Sequence, residues 1–346
     1  MTNDCTRALL DWFAHHKRDL PWRRDVSAYH TLVSETMLQQ TRVEAVLTAY
    51  TRFLRCLPTV AALADCEENA LYKLWEGLGY YRRAKNLQRA AQMIVTDFGG
   101  EIPRKVSDLL RLPGVGAYTA GAIASIAYGL RVPAVDGNVL RVMARLEADY
   151  ADIALPQTKQ LLTDHLQNVM PAQNAGDFNQ ALMDFGACVC LPNGAPLCRT
   201  CPVADYCLAF AQNAVGQLPV KSPKKTRRIE ERRVFLLLFE DKVALRKRPN
   251  SGLLAGLWEF PNTTDDSEAF LASLGVKPET CRTIVPCGEA KHIFTHLEWH
   301  MTGTALTLRE QPNQKSLCWV DAALLVKDYA MPSAFAHYRS YFLDKP

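Results

Sequence analysis

The chain has no long apolar run and no strong excess of charge of one sign. The uncharged stretch at residues 117–130 is too short for a membrane span, contains glycines, and is typical of a buried helix. Residues 1–22 have no uninterrupted apolar core, which argues against a secretory signal. The net charge of +4 permits an acidic partner such as nucleic acid without requiring one. These features predict a cytoplasmic protein that does not bind membranes.

The sequence also lacks internal repeats and long low-complexity tracts. Its 346 residues suffice for about two domains, and no strong alternating strand pattern precedes residue 215. The composition changes at residues 220–233, where seven Lys and Arg residues surround one proline. We therefore predict a helical domain over 1–219, a basic linker over 220–233 and a smaller α+β domain over 234–346.

Local patterns predict several elements. Residues 34–54 place apolar side chains at spacings that one helix face can use. Residues 69–100 predict two helices, separated near Gly77–Gly79 and ended by paired glycines. Residues 234–248 predict two strands around a Glu-Asp-Lys turn, and residues 316–325 predict a strand that runs into a helix.

Eleven cysteines in a chain without a secretion signal favour a reducing compartment, where clustered thiols more often bind metal than form disulfides. Four of them have the spacing C-x7-C-x2-C-x5-C, so four thiolates can surround one metal centre. A structural zinc would need the same number of ligands, but one compact group favours a [4Fe–4S] cluster. Cys188 is expected to pack rather than ligate. The predicted ligands are Cys190, Cys198, Cys201 and Cys207.

The stretch LPGVGAYTAGAIASIA, residues 112–127, predicts a tight glycine turn that leads into a helix. Gly114 and Gly116 let the backbone turn sharply and leave amide groups uncovered. Such amides at the start of a helix suit a phosphate group. Many turns between helices contain glycine, so this turn alone does not identify the ligand.

Two carboxylates stand in apolar or amide-rich surroundings. Asp136 precedes a glycine in VPAVDGNVLRV and, taken alone, is best explained as the N-cap of a helix. Glu35 lies in LVSETMLQQT, where a surface glutamate is the alternative to a functional one. Both residues therefore have a structural explanation as well as a catalytic one.

The motifs taken together resemble the helix-hairpin-helix DNA glycosylases of the endonuclease III superfamily, and more narrowly the MutY-type adenine DNA glycosylases. The resemblance covers nearly the whole chain, although the first cysteine gap has seven residues where six are usual in that family. It implies an α-helical helix-hairpin-helix domain with a [4Fe–4S] loop at 190–207, followed by an α+β Nudix-like domain. The motifs that carry it, besides the four cysteines, are LPGVGAYTAGAI, VDGNV, SETMLQQT, GLGYYRRAKNL and FNQALMDFGA.

The resemblance implies removal of adenine mispaired with 8-oxoguanine or guanine in duplex DNA. Bifunctional relatives carry a lysine where this chain has Tyr118; tyrosine cannot form their Schiff base, so a monofunctional enzyme is expected. Glu35 would be the general acid that protonates the base, and Asp136 the carboxylate that stabilises the oxocarbenium ion.

Further site residues follow from the resemblance and have simpler alternatives, namely core packing for Trp22, Leu38 and Tyr80 and surface solvation for Gln40. The pocket around the flipped adenine would contain Trp22, Arg23, Leu38 and Gln180, with Asn138 beside the sugar. The DNA-facing parts would contain Gln40, Thr41, Leu78, Gly79, Tyr80, Gly114, Gly116 and Tyr118.

The stretch SGLLAGLWEFPN resembles the opening of Nudix domains, but the residues after it lack the acidic metal-binding helix of a Nudix hydrolase. In MutY-type enzymes this domain instead reads 8-oxoguanine through an F-S-H loop. The counterpart here is Phe294, Thr295 and His296, in which threonine retains the hydroxyl group.

Two other functions remain open from the sequence. A bifunctional pyrimidine glycosylase/lyase is disfavoured by Tyr118 and the extra domain. A non-catalytic iron–sulfur DNA-binding protein is disfavoured because Glu35 and Asp136 are both present. We expect a monomer whose partner is double-stranded DNA.

Overall fold

The computed structural model describes residues 1–192, 194–223 and 226–344. By its internal contacts the chain divides into two units. The helical unit contains Met1–Asp65 and Asn86–Pro223, and the mixed unit contains Cys66–Lys85 with the described chain after Pro223. Lys224 and Lys225 of the expected linker lie outside the described residues. In the part of the chain that is described, no helix has both the length and the apolar character needed to cross a membrane.

The chain up to residue 211 is built from helices, of which α6 lies in the mixed unit. The two helices predicted over residues 69–100 are confirmed as α6 and α7. Gly99 and Gly100 follow α7 with φ of +64° and +87°, a backbone that glycine adopts easily and that ends a helix. The helices are α1 (Asn3–His16), α2 (Pro21–Arg24), α3 (Ala28–Leu38), α4 (Val43–Cys56), α5 (Val60–Ala64), α6 (Glu68–Leu74), α7 (Arg82–Phe98), α8 (Val106–Leu109), α9 (Ala117–Ala122), α10 (Gly137–Leu146), α11 (Pro156–Val169), α12 (Ala175–Cys188) and α13 (Leu208–Ala211).

The interpretation of residues 34–54 as one helix is wrong. The chain leaves α3 after Leu38 and enters α4 at Val43, and Gln40 in the turn between them has φ of +57°. A residue in this left-handed region cannot continue a right-handed helix. Apolar spacing did not reveal the turn, because the spacing is helical on both sides of it.

The core of the helical unit packs α12 against α1 and α10. Leu9, Met143 and Phe178 are among the buried side chains in this cluster. Asp136 is the N-cap of α10, and its Oδ1 accepts a hydrogen bond of 2.8 Å from the Val139 amide. The predicted cap at Asp136 is therefore confirmed, and the cap fixes where α10 begins.

Helix α12 approaches the start of α10 very closely. A Cβ atom built on Gly186 would lie 2.7 Å from Cβ of Asn138, so a larger residue would push the two helices apart. Glycine at this position lets α12 support the residues around Asp136.

The mixed unit is built on a sheet with the strand order β3-β2-β1-β6-β5, to which β4 adds beside β1 and β7 beside β2. Strands β1 and β6 are parallel, whereas β1–β2 and β5–β6 are antiparallel. The two strands predicted over 234–248 and the strand–helix junction over 316–325 are confirmed. The elements are β1 (Arg228–Phe239), β2 (Lys242–Lys247), β3 (Trp258–Glu259), β4 (Asn262–Thr263), α14 (Ser267–Ser273), β5 (Cys281–Ile293), β6 (Leu297–Leu308), β7 (Cys318–Asp321), α15 (Ala322–Asp328) and α16 (Ala336–Leu343).

Strand β1 begins at Arg228, inside the segment expected to be a linker. Its charged first half pairs in register with β6, starting with Arg228 opposite Leu297. Ladder hydrogen bonds are made by the backbone, so a charged composition does not prevent a strand. The second half is apolar throughout because successive side chains enter two different cores, Leu236 on one face and Leu237 on the other.

The internal segment Cys66–Lys85 is attached to the rest of the mixed unit by charged side chains. Glu76 forms an ion pair of 2.8 Å with Arg339, and Glu68 lies 3.7 Å from Lys247. This segment contains α6 and the predicted DNA-facing loop after it.

Candidate active site

A cavity in the helical unit gathers side chains from helices that are distant in sequence. The cavity also contains residues that the sequence did not single out, among them Arg18, Thr31, Ser34 and Met183. The predicted residues that line it are Trp22, Arg23, Glu35, Leu38, Thr41, Tyr118, Asp136, Asn138 and Gln180.

Glu35 lies on α3 with only 5% of its surface exposed, so the surface alternative is wrong. Burial, with a smaller contribution from the negative charge of Asp136, raises the pKa of its carboxyl, and the net pKa is about 7. The hydrogen bond from Tyr118 and the charge of Arg23 act in the opposite direction. A carboxyl group with this pKa can hold a proton at neutral pH and donate it.

Tyr118, on α9, binds Glu35 directly. Its hydroxyl group donates a hydrogen bond of 2.5 Å to Oε2 of Glu35. Burial raises the pKa of Tyr118 well above its usual value, with the nearby carboxylates adding to the effect. The phenol therefore stays protonated and orients the carboxyl group.

Asp136 is half-buried and both of its carboxylate oxygens are bonded. Oδ1 accepts from the Val139 amide, and Oδ2 accepts a bond of 2.7 Å from Nδ2 of Asn138. Arg141 donates a bond of 2.9 Å to Oδ1 of Asn138. Because a guanidinium can only donate, this contact turns the amide nitrogen of Asn138 towards Asp136. The capping and catalytic explanations of Asp136 are therefore compatible.

Arg18 and Arg23 are held at the cavity by one buried carboxylate, Asp184 of α12. Nη2 of Arg18 and Nη1 of Arg23 each lie 2.6 Å from an oxygen of Asp184, whose side chain is 0% exposed. Although burial raises the pKa of Asp184, the hydrogen bonds and charges of the two arginines lower it overall. Sequence reasoning missed Asp184; the signal for it was an acidic residue among apolar ones in FNQALMDFGA.

Replacing Asp184 with asparagine is expected to lower the free energy of unfolding by about 3–5 kcal/mol, because two partly buried arginines lose their counter-charge. Asp19→Asn is the control, since it breaks an exposed pair with Arg24 and should leave stability nearly unchanged. Urea unfolding of both variants measures the difference. Equal unfolding midpoints for the two variants would show that the ion pairs with Asp184 do not hold Arg18 and Arg23 in place.

Gln40 and Tyr80 are both exposed, and both are non-glycine residues in the left-handed region, with φ of +57° and +47°. Such a backbone is unfavourable for side chains of this size and is often found at functional sites. Gly79 also has positive φ, at +68°.

Leu78, however, is only 4% exposed, so its side chain does not face outwards as expected. Its carbonyl accepts a hydrogen bond from Arg83, which folds the loop over this residue.

The predicted glycine turn is tight at Gly114, where φ is +80° and a Cβ would lie 2.8 Å from Cβ of Asn86. Gly116 is the N-cap of α9 and has extended backbone. The first turn of α9 therefore starts without a side chain over its amides, as the sequence indicated.

Phe294, Thr295 and His296 form the turn between β5 and β6, closed by a hydrogen bond of 2.8 Å from the Phe294 amide to the Leu297 carbonyl. The ring of Phe294 packs on buried Trp299, with centroids 4.9 Å apart. Thr295 and His296 are exposed. The turn thus combines one packing residue with two polar residues available for binding.

The predicted ligand cysteines line a second cavity of about 380 Å³ in the helical unit. Arg145 also lines it, and its Nη1 donates to Sγ of Cys190 at 3.2 Å. Cys188 is exposed at the end of α12. Within residues 1–192, 194–223 and 226–344, no three His, Cys, Asp or Glu side chains are arranged to hold a metal ion.

Two parts of the chain match known families. Residues 33–170 match the HhH-GPD superfamily of base excision DNA repair proteins, and residues 233–340 match the NUDIX domain. These matches confirm the predicted fold class of a helix-hairpin-helix glycosylase domain followed by a Nudix-like domain, while the cluster loop stays a prediction.

Similar proteins are found over most of the chain. An adenine DNA glycosylase of Rattus norvegicus is 35% identical, over 97% of this chain and 78% of its own length. An adenine DNA glycosylase of Homo sapiens is 37% identical, over 86% of this chain and 66% of its own length. A solved thermostable thymine-DNA glycosylase is 28% identical with a TM-score of 0.55, over 60% of this chain and 95% of that one.

Proposed function

Because the chain belongs to the adenine DNA glycosylase family, we propose that it hydrolyses the N-glycosidic bond of adenine paired with 8-oxoguanine or guanine in duplex DNA. It is a DNA glycosylase of base excision repair. The observation that carries the proposal is one cavity containing both Asp136 and the buried Glu35, whose pKa is about 7.

The reaction uses the two carboxyl groups in different protonation states. Glu35 donates its proton to a ring nitrogen of adenine, so the bond from C1′ to the base breaks and the base leaves as a neutral molecule. Asp136, ionised, stabilises the positive charge that develops on the sugar. A water molecule then adds to C1′ and its proton is lost. The adenine must leave the base stack to reach this cavity.

The lining of the cavity supports hydrolysis without strand cleavage. Its described residues include no lysine, and Tyr118 is hydrogen-bonded to Glu35. An amine that could form a Schiff base with C1′ is thus missing from the residues described there.

Recognition of 8-oxoguanine is assigned to the turn of Phe294, Thr295 and His296. Within the mixed unit, the hydroxyl groups of Tyr80 and Thr295 lie 3.1 Å apart. Two residues expected at the damaged base pair are therefore within hydrogen-bond distance of each other. This supports their contact with the same nucleotide.

The function is tested with duplexes that hold adenine opposite 8-oxoguanine, guanine or thymine, and with duplexes that hold an oxidised pyrimidine. We expect release of adenine from the first two, and strand breaks only after hot alkali. Strand breaks without alkali, or release of the pyrimidine, would support a bifunctional enzyme. Tight binding without release of any base would support a non-catalytic DNA-binding protein.

Replacing Thr295 and His296 together with alanine is expected to reduce the preference for 8-oxoguanine over guanine about tenfold or more, because polar contacts worth about 1–3 kcal/mol are removed. Phe294 stays in place to preserve packing. Thr283→Ala, an exposed threonine on β5, is the control. The ratio of excision rates on the two duplexes is the measurement, and an unchanged ratio in the folded double variant would contradict this role.

We also propose that Cys190, Cys198, Cys201 and Cys207 hold a [4Fe–4S] cluster. The residues fit the group in ligand type and number, since all four thiols line one cavity and Arg145 places positive charge beside Cys190. A [4Fe–4S] cluster is held by four cysteine thiolates spread over several irons, so the four sulfur atoms need not meet at a single ion. When bound, the cluster supplies iron–thiolate bonds that fix the loop around it, and no step of the excision is assigned to it.

Purified protein is expected to be brown and to contain about four iron atoms per chain, with broad absorption near ~400 nm. Elemental analysis and the absorption spectrum test this. Cys188→Ser is the control that should keep full iron content, whereas Cys198→Ser should lose it. One zinc and no iron would contradict the cluster.

A further inference from the structure

Asn179 of α12 is a buried amide that none of the steps above uses. Its side chain is 1% exposed. Oδ1 accepts a hydrogen bond of 3.0 Å from the Ala134 amide. Nδ2 donates to the Val132 carbonyl at 2.9 Å and to Oγ of Ser125 at 2.8 Å. One side chain thus binds two parts of the chain at once.

The first of these parts is the segment 132–135, which leads directly into Asp136. Its residues belong to no helix or strand, so neighbouring backbone does not pair with them in a regular pattern. Ala134 and Val135 are nevertheless buried. Buried backbone groups need partners, and Asn179 supplies them at the two positions that lie four and two residues before the carboxylate, Val132 and Ala134.

The second part is the turn of π-helix at Ile123–Ala127, which continues α9. Oγ of Ser125 accepts from Asn179 and donates to the Gly121 carbonyl at 2.7 Å. Gly121 in turn touches the segment, since a Cβ there would lie 2.1 Å from the Pro133 carbonyl oxygen. Turns of π-helix often occur at functional sites, and α9 also carries Tyr118, the partner of Glu35.

We propose that Asn179 is a positioning residue that fixes Asp136 relative to the sugar by holding the segment 132–135 against α9. In this way Asn179 sets the distance across the cavity, from Glu35 and Tyr118 on one side to Asp136 on the other. This inference rests on the proposed function, because Asp136 acts on a positive charge that develops only during excision. A displacement of about 1 Å at a reacting group can cost about a hundredfold in rate.

The test compares Asn179→Ala, Asn179→Asp and Ser125→Ala. The alanine variant loses both contacts with the segment, whereas the aspartate variant keeps an acceptor for the Ala134 amide. Ser125→Ala keeps both bonds to the segment but removes the bond that joins Asn179 to the π-helical turn after α9. Each variant is studied below its own melting temperature, as measured by thermal unfolding.

Two readouts separate positioning from general loss of structure. The first is the single-turnover rate of adenine release with enzyme in excess. The second is the ratio of affinities for two duplexes, one with a cationic pyrrolidine mimic of the sugar and one with a neutral tetrahydrofuran mimic. Only the affinity for the cationic mimic depends on the placement of the Asp136 carboxylate.

For Asn179→Ala we expect about a hundredfold slower release, and a preference for the cationic mimic reduced about tenfold or more, with the neutral mimic bound as before. Asn179→Asp and Ser125→Ala should each lie between this variant and the unmodified enzyme, because each keeps part of the link between the segment and α9. If Asn179→Ala does not fold, the mimic preference of Asn179→Asp is used to test the inference instead.

An unchanged mimic preference in a folded Asn179 variant would overturn the inference while leaving the proposed function intact. An equal loss of affinity for both mimics would also overturn it, because that pattern indicates a general structural role. If the unmodified enzyme releases no adenine, the proposed function fails and the inference fails with it.

Discussion

Glu35→Gln is expected to bind a duplex with adenine opposite 8-oxoguanine as tightly as the unmodified enzyme, but to release adenine about 10²–10⁴-fold more slowly. Glutamine keeps the shape of the side chain and a carbonyl oxygen for Tyr118, but it has no acidic proton. Glu44→Gln, an exposed glutamate on α4, is the control and should be fully active. Single-turnover rates and equilibrium binding are measured on the same duplex.

The pH dependence of the unmodified enzyme tests the same assignment. The protonated form of Glu35 is the active one and predominates below the pKa of about 7. The rate should therefore fall as the pH rises through 7, by about tenfold per unit well above it. A flat rate between pH 6 and 9 would remove Glu35 from the role of acid.

The stability of the unmodified enzyme should fall over the same pH range as its activity. The pKa of Glu35 is raised from 4.5 to about 7 in the folded protein, so its contribution to stability is fully present below 4.5 and is lost as the pH rises through 7. Glutamine has no charge to bury. Above pH 8 the Glu35→Gln variant should be more stable by about 3 kcal/mol, and below pH 4 the two proteins should be equally stable.

Asp136→Asn is expected to slow adenine release at least about 10²–10³-fold, because the negative charge beside the sugar is lost. Asparagine is as good an N-cap as aspartate, so α10 should remain intact and DNA binding should persist. The single-turnover rate and the thermal unfolding midpoint are measured together.

The matched control is Asp266→Asn, which changes the N-cap of α14 in the mixed unit, where the side chain accepts from the Ala269 amide. It should alter neither rate nor stability appreciably. If Asp136→Asn behaves like Asp266→Asn, then capping explains Asp136 fully and the cation must be stabilised by another group.

The sequence alone singled out Glu35 and Asp136, to which we assign the chemistry, because their motifs are local. Glu35 and Asp136 lie within short recognisable stretches, and the structure brings both to one cavity. Asp184 and Asn179 were missed for a physical reason. Their partners are distant in the chain, since Arg18 and Asp184 are 166 positions apart and Ala134 and Asn179 are 45 positions apart, so no local pattern identifies those partners.

Two misplaced boundaries have similar causes. The turn at Gln40 depends on a backbone conformation that apolar spacing does not encode. The early start of β1 depends on pairing with β6, which lies about 70 residues further along the chain (Arg228 opposite Leu297) and supplies backbone partners whatever the side chains. Local composition describes the solvent-facing side chains of such a strand, not its hydrogen bonds.

The attachment of Cys66–Lys85 to the mixed unit limits what a truncated protein can show. Removing the chain after residue 226 would also remove Arg339 and Lys247, the ion-pair partners of Glu76 and Glu68. The loop with Tyr80 would lose its supports along with the turn that we propose reads the lesion, so a fall in lesion preference would have two causes. A chimaera between two such enzymes should therefore exchange residues 66–85 together with the C-terminal part, as one unit.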